Sequence, residues 1–195
     1  MPGWEETPTQ RRARYAAIAE DLFQVAYDPK VSPLYDGPFA RARSASLVLA
    51  VAFHESGFAA DVDRGPCYRF NQHESRCDYG RSACIMQVQV GPGRTREGYT
   101  QADLFADRKK CFRAGMAILR ASMSRCRHLP ERQWLNAYAS GTCTKGQARS
   151  REMHDLAAKF ATLYPYPGGD HEFQLPEAPP APPAPRAPPA EPPKR

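Results

Sequence analysis

Glu55 closes an apolar run. Leu47-Val48-Leu49-Ala50-Val51-Ala52-Phe53 carries no polar side chain, and His54-Glu55-Ser56-Gly57-Phe58 follows it directly. Counting back from Glu55 by helical spacing gives Ala52, Val51 and Val48, so its carboxyl group shares an apolar face. Poor solvation disfavours the charged form of a carboxyl and raises its pKa. That is what a general acid needs near neutral pH. Gly57 supplies the permissive backbone that commonly ends a helix. The same position also suits a carboxylate that simply reaches solvent at a helix C-terminus, where negative charge opposes the macrodipole.

Three further segments bear on the choice. Ser82-Ala83-Cys84-Ile85-Met86-Gln87-Val88 comes first, and Asn136-Ala137-Tyr138-Ala139-Ser140-Gly141 comes last. Between them lies Asp103-Leu104-Phe105-Ala106-Asp107, followed by Cys111-Phe112-Arg113-Ala114-Gly115. In this order and spacing the chain, from Ala42 to Tyr164, resembles the catalytic domain of the soluble lytic transglycosylases, within the lysozyme-like superfamily. That family reads Glu-Ser, then Gly-Leu/Ile-Met-Gln, then Ala-Tyr-Asn-x-Gly, with an Asn-x-x-x-Gly helix between. Two positions depart from the pattern: Cys84 stands for the glycine and Ala139 for the asparagine after the tyrosine.

The resemblance implies a glycan-cleaving enzyme acting on peptidoglycan, with no cofactor and no metal. Glycosidic cleavage needs an acid for the leaving oxygen and stabilisation of an oxocarbenium-like centre. In the family a single Glu donates the proton, aided by the substrate's acetamido group. It then takes the proton of the C6 hydroxyl as a 1,6-anhydro ring closes. Glu55 inherits both steps. Ser56 would shape the turn beside it, Met86 and Gln87 would form the cleft floor, and the Tyr138 hydroxyl would orient the Glu55 carboxyl. A buried Tyr usually finds a hydroxyl partner, in keeping with that role. Out of motif context Met86, Gln87 and Tyr138 read as ordinary half-buried or core residues.

Asp61 and Asp63 follow Glu55 by six and eight residues. If one faces Glu55 across a water, the enzyme is an inverting muramidase resembling the goose-type lysozymes. As loop aspartates they would instead make turns. His54 and Glu74 read as surface or supporting residues. A third reading, from another class, is a wall-binding or virion module that has kept the fold and lost turnover.

The elements that must position these groups follow from periodicity. Residues 11–26 place Tyr15, Ile18, Ala19, Leu22, Val25 and Ala26 on one helical face, and Asp28-Pro29 and Ser32-Pro33 then break it. A second helix over 40–56 is apolar nearly all round in its later half and reads as the buried central helix. The segment 61–98 is loop-rich, with a short strand predicted over Ile85 to Val90. It is the expected wall of a cleft. Thr100-Gln101-Ala102-Asp103 resembles a capping box. Helices are predicted over 107–124, from Pro130 through Trp134, Leu135 and Tyr138, and over 147–163. The class is therefore mainly α, a lysozyme-like helical domain with a short β segment beside the cleft. Residues 1–10 read as an extension, 11–166 as the domain and 167–195 as a proline-rich, polyproline II-like tail.

Six cysteines, Cys67, Cys77, Cys84, Cys111, Cys126 and Cys143, favour disulfides in a wall-directed domain. Local pairs would be Cys67 with Cys77 and Cys126 with Cys143, leaving Cys84 with Cys111. A zinc site from Cys67, His73, Cys77 and Cys84 competes, as do free buried thiols. Net charge is +6, with only +1 of it in the Ala-Pro-Pro-rich residues 176–195, so the folded part is mildly basic. Solubility explains that, as does attraction to an acidic wall polymer. The arginines are scattered without an aromatic-basic motif, which argues against nucleic acid. No run reaches transmembrane length, and Met1-Pro2-Gly3-Trp4-Glu5-Glu6 lacks a signal-peptide apolar core. The expectation is a monomer acting on peptidoglycan in the periplasm or outside the cell. Export by another route, phage or lysis-system delivery, or a leader outside this chain would bring it there.

Overall fold

A computed structural model describes residues 6–65, 77–91 and 93–163. The proline-rich tail, Cys67, His73 and Glu74 lie outside that set. The described chain is mainly helical with one small antiparallel sheet, as the periodicities indicate.

Helix α1 spans Pro8–Ala26 and begins three residues before the apolar period does. Thr7 is its N-cap: the hydroxyl accepts from the Gln10 N–H while the Gln10 side chain accepts from the Thr7 N–H, with Pro8 at the first helical position. The expected extension over 1–10 is thus corrected from Glu6 onward. Glu6 itself is built into the fold, its side chain 5% exposed and paired with Arg14 of α1 at 2.8 Å. At the far end Arg41 Nη1 donates to the Ala26, Asp28 and Val31 carbonyls, satisfying the orphan end of α1 with a cation.

Helix α2, Ala40–Ser56, is the central one: Leu47, Val48, Ala50, Val51 and Ala52 have no exposed surface. The one buried hydroxyl in its first half is satisfied, since Ser44 donates to the Ala40 carbonyl and accepts from the Leu34 N–H. Gly57 ends the helix at φ 56°, its N–H returning to the Phe53 carbonyl at 2.7 Å. Helix α3, Ala60–Arg64, follows after one short turn.

The β segment is smaller than the sequence suggests. β1 (Ser82–Ala83) pairs with β2 (Val88–Gln89), and residues 84–87 form the turn between them. Cys84 and Gln87 both have left-handed backbone, at φ 57° and 47°, and the Gln87 N–H bonds the Cys84 carbonyl at 2.9 Å. The strand predicted from Ile85 is therefore replaced by a tucked turn that buries Ile85 and Met86 together. A side chain on left-handed backbone costs roughly 1–2 kcal/mol, and the Cys84–Cys111 disulfide holds that of Cys84 in place.

Helix α4 (Gln101–Ala106) starts on the capping box of Thr100 and Asp103. Helix α5 (Arg108–Arg125) is N-capped by Asp107 and buries Phe112, Gly115, Met116 and Leu119. Beyond it the helix predicted from Pro130 is broken into a 3-10 turn, Glu131–Gln133, and the short α6, Asn136–Ser140. Side chains compete for its backbone donors: Ser150 Oγ accepts from Leu135 N–H and Ser122 Oγ from Tyr138 N–H. Helix α7, Gln147–Leu163, lies along α2, while α1 packs on α5 and α2.

A second disulfide, Cys126–Cys143, ties the end of α5 to the chain after α6 across a sequence separation of 17. Closing a loop of that length stabilises by about 3 kcal/mol in the chain-entropy account. Because Cys84 is bonded to Cys111, the zinc alternative loses one thiolate. The Cys67–Cys77 pairing involves a residue outside the described set. Among the described residues no helix is long and apolar enough to cross a membrane.

Candidate active site

Glu55 sits at the C-terminal end of α2, above Val48, Val51 and Ala52, with its side chain 12% exposed. It opens into a cleft of about 850 Å³ whose lining also includes Ser56, Asp78, Gln87, Tyr138 and Arg149. Ser56 shapes the corner: its hydroxyl donates to the Ala52 carbonyl at 2.7 Å and accepts from the Phe58 N–H at 3.1 Å. Gln87 enters from the β turn, its amide Nε2 donating to the Cys84 carbonyl at 3.0 Å.

Tyr138 lies at the cleft wall, but its hydroxyl does not orient Glu55 as the resemblance implies. It donates to the Met86 carbonyl at 3.1 Å, joining α6 to the β turn. Burial raises its pKa, the Glu55 charge adds to the rise and Arg149 opposes it. Met86, expected as an apolar platform for sugar, is 1% exposed and absent from the lining. It lies beneath the floor, so close to α5 that a methyl group on Gly115 would meet Met86 Cε at 2.5 Å. The Gly115 position is thus explained by packing rather than by a helix break.

The group that holds Glu55 is Arg149, in the first turn of α7. Its Nη2 donates to Glu55 Oε1 at 2.7 Å and its Nη1 reaches the Ala139 carbonyl at 3.4 Å. His54 Nδ1 approaches the same Oε1 at 3.6 Å, while its Nε2 faces Glu152 at 3.3 Å. The sequence does carry a weak signal for Arg149. A cation in the first turn of a helix opposes the macrodipole, and α7 has no acidic residue there to offset it.

Neither Asp61 nor Asp63 lines the cleft. Asp63 is fully buried on the other side of α3, where Arg108 grips it through Nε at 2.6 Å and Nη2 at 2.9 Å. Arg14 Nη1 stands 3.8 Å from its second oxygen. This arrangement is structural, and the expectation of Asp63 as a water-positioning base is overturned by it. The second carboxylate in the cleft is Asp78, which the spacing from Glu55 did not reveal. It sits in the turn Cys77–Gly80, where Cys77, Asp78, Tyr79 and Gly80 all have positive φ, between 48° and 79°. Gln89 Nε2 donates to Asp78 Oδ2 at 3.2 Å, and Gln101 Nε2 anchors the turn through the Gly80 carbonyl. Consecutive left-handed residues other than glycine are unfavourable, and such strain clusters at functional sites. Asp78 two residues before Gly80 was the available signal, since Asp tolerates this conformation better than most residues.

The arrangement offers one carboxyl group at the end of an apolar helix face, a cation on it, a second carboxylate in the same cleft and amide groups between. Among the described residues no three His, Cys, Asp or Glu side chains gather to hold a metal. No family model, no curated protein and no solved structure matches this chain, so its functional reading stands on the residues of this cleft.

Proposed function

We propose that this protein is a peptidoglycan lytic transglycosylase with Glu55 as its single acid and base. The observation that carries the reading is convergence: Glu55 and Ser56 from α2, Gln87 from the β turn and Tyr138 from α6 meet at one cleft large enough for sugar rings. These segments are far apart in the chain, and they are the ones that carry the family resemblance. In the reaction Glu55 gives its proton to the glycosidic oxygen as the bond to C1 of N-acetylmuramic acid breaks. The C6 hydroxyl then bonds to C1, and its proton returns to Glu55. No water is consumed. The ion pair with Arg149 has to open and the carboxylate has to take up a proton before Glu55 can act as the acid. Disulfides fit an oxidising compartment, which is where the wall lies.

Asp78 favours a second reading. A carboxylate in the same cleft could activate a water, making the enzyme a hydrolytic muramidase. Digestion of purified peptidoglycan separates the two. Transglycosylase products end in anhydro-muramic acid and are one water lighter than muramidase products, which carry reducing ends. Glu55→Gln keeps shape and removes the proton, so muropeptide release should collapse while binding to wall persists. Undiminished release by Glu55→Gln would overturn both readings. Reducing ends would replace the first with the second.

A further inference from the structure

Arg149 is the single cation among the described residues that line the cleft, whose lining also includes the carboxylates Glu55 and Asp78. Its side chain is 47% exposed, so the guanidinium head is in the cleft's water while its base is fixed. The neighbouring Ser150 is buried and locks α7 by accepting from the Leu135 N–H and donating to the Arg132 carbonyl. Of the five N–H donors of the guanidinium, one meets Glu55 and one reaches the Ala139 carbonyl at the long distance of 3.4 Å. Donors remain for a second acceptor, in the planar fork that matches a carboxylate. An ion pair with a half-exposed partner is weak and easily exchanged.

We infer that Arg149 is the receiver for a carboxylate of the substrate, namely one on the peptide stem of the glycan. In this structure it rests on Glu55; the stem carboxylate takes its place as partner and frees the catalytic carboxyl. The inference rests on the wall-glycan reading above and adds the part of the substrate that is recognised. A stem-free glycan with its lactyl carboxyl capped as the amide, and so neutral, would leave Arg149 on Glu55 and be bound and cut less well. No bond is made or broken in this exchange; one carboxylate replaces another on the guanidinium.

The test uses the full chain carrying Glu55→Gln, which removes turnover and permits equilibrium measurement. Calorimetry would compare a disaccharide-tetrapeptide wall fragment with the same disaccharide whose lactyl carboxyl is capped as the primary amide, which carries neither stem nor charge. A charge-assisted hydrogen bond corresponds to a preference of about tenfold for the stem-bearing fragment. That preference should shrink with added salt and vanish in Glu55→Gln with Arg149→Ala. Arg149→Lys should restore part of it. Equal affinity for both fragments with Arg149 present, or a preference that survives Arg149→Ala in a normally melting protein, overturns the inference. Failure of the enzymatic reading looks different: unmodified protein would release nothing from intact wall, while the Arg149-dependent stem preference would still be seen. Absence of binding to either fragment removes both.

Discussion

Replacing Asp63 by asparagine should damage stability and not chemistry. The substitution keeps the shape of the side chain and removes the charge that two guanidinium groups share. Asp63 is fully buried, Arg14 is 4% exposed and Arg108 is 25% exposed, and the contacts run from 2.6 to 3.8 Å. Removing one partner of a buried ion pair costs about 3–5 kcal/mol, since the other is left uncompensated. Three features lower that figure here. Arg108 keeps Asp21 at 3.0 Å, Arg14 keeps Glu6 at 2.8 Å and the Phe58 carbonyl at 2.7 Å, and the new amide can still accept from Arg108. The expected loss is therefore about 2–3 kcal/mol, read from urea denaturation at neutral pH as a lower midpoint with unchanged slope. Muropeptide release per folded molecule should stay near normal. A loss below about 1 kcal/mol, or a collapse of release in a fully stable protein, would refute the argument and return Asp63 to the chemistry. The same network has a pH signature. The Arg14 hydrogen bond, helped by the charges of Arg14, Arg64 and Arg11, lowers the pKa of Glu6 from its ordinary 4.5 against the opposing effect of burial. A depressed carboxyl stabilises fully above its unfolded value, and the contribution is lost as pH falls through the folded one. His154 adds an earlier step: burial lowers its pKa from 6.5, so its contribution is present above that value and lost below it. Stability should thus decline first below pH 6.5 and again below 4.5.

Gly115→Ala tests the floor of the cleft. Alanine is better in a helix by about 1 kcal/mol, yet the added methyl would lie 2.5 Å from Met86 Cε and 3.0 Å from its Cγ, and overpacking costs about 1–3 kcal/mol. The variant should melt lower than the parent and cut wall less well, because Met86 carries Gln87 with it; a higher melting temperature would show that the floor yields freely. Tyr138→Phe strips the Met86 carbonyl of its donor and should cost about 1 kcal/mol of stability. Its effect on muropeptide release should be far smaller than that of Glu55→Gln, since the hydroxyl does not hold the carboxyl; equal losses would place the hydroxyl in the chemistry after all.

Much of this protein was determined locally and could be read directly. The apolar run 47–53 is buried because it is apolar nearly all round, and Gly57 ends it because only a residue at ease at positive φ can. Glu55 at the boundary follows from the same two facts, so its place at the end of the buried helix was legible before any coordinates. So were the helical class and the pairing of Cys126 with Cys143 and of Cys84 with Cys111. The start of α1 was written in Thr7, Pro8 and Gln10, in capping chemistry rather than in hydrophobic period.

What only the tertiary structure decided are the partnerships between groups far apart in sequence. Arg149 lies 94 residues from Glu55 and Arg108 lies 45 from Asp63, and charge alone does not say which cation meets which carboxylate. Asp61, Asp63 and Asp78 are equivalent as residue types. One becomes a buried anchor and another a cleft carboxylate because α3 and the left-handed turn point them to opposite sides. The alternation of residues 85–90 suggested one strand, yet positive φ at Cys84 and Gln87 makes residues 84–87 a turn and leaves Val88–Gln89 as β2. Met86 moved beneath the floor because Gly115, 29 residues later, leaves the space for it. Periodicity reports the face a residue shares with its chain neighbours; the partner across the interior is set by packing, where distance along the chain carries no weight.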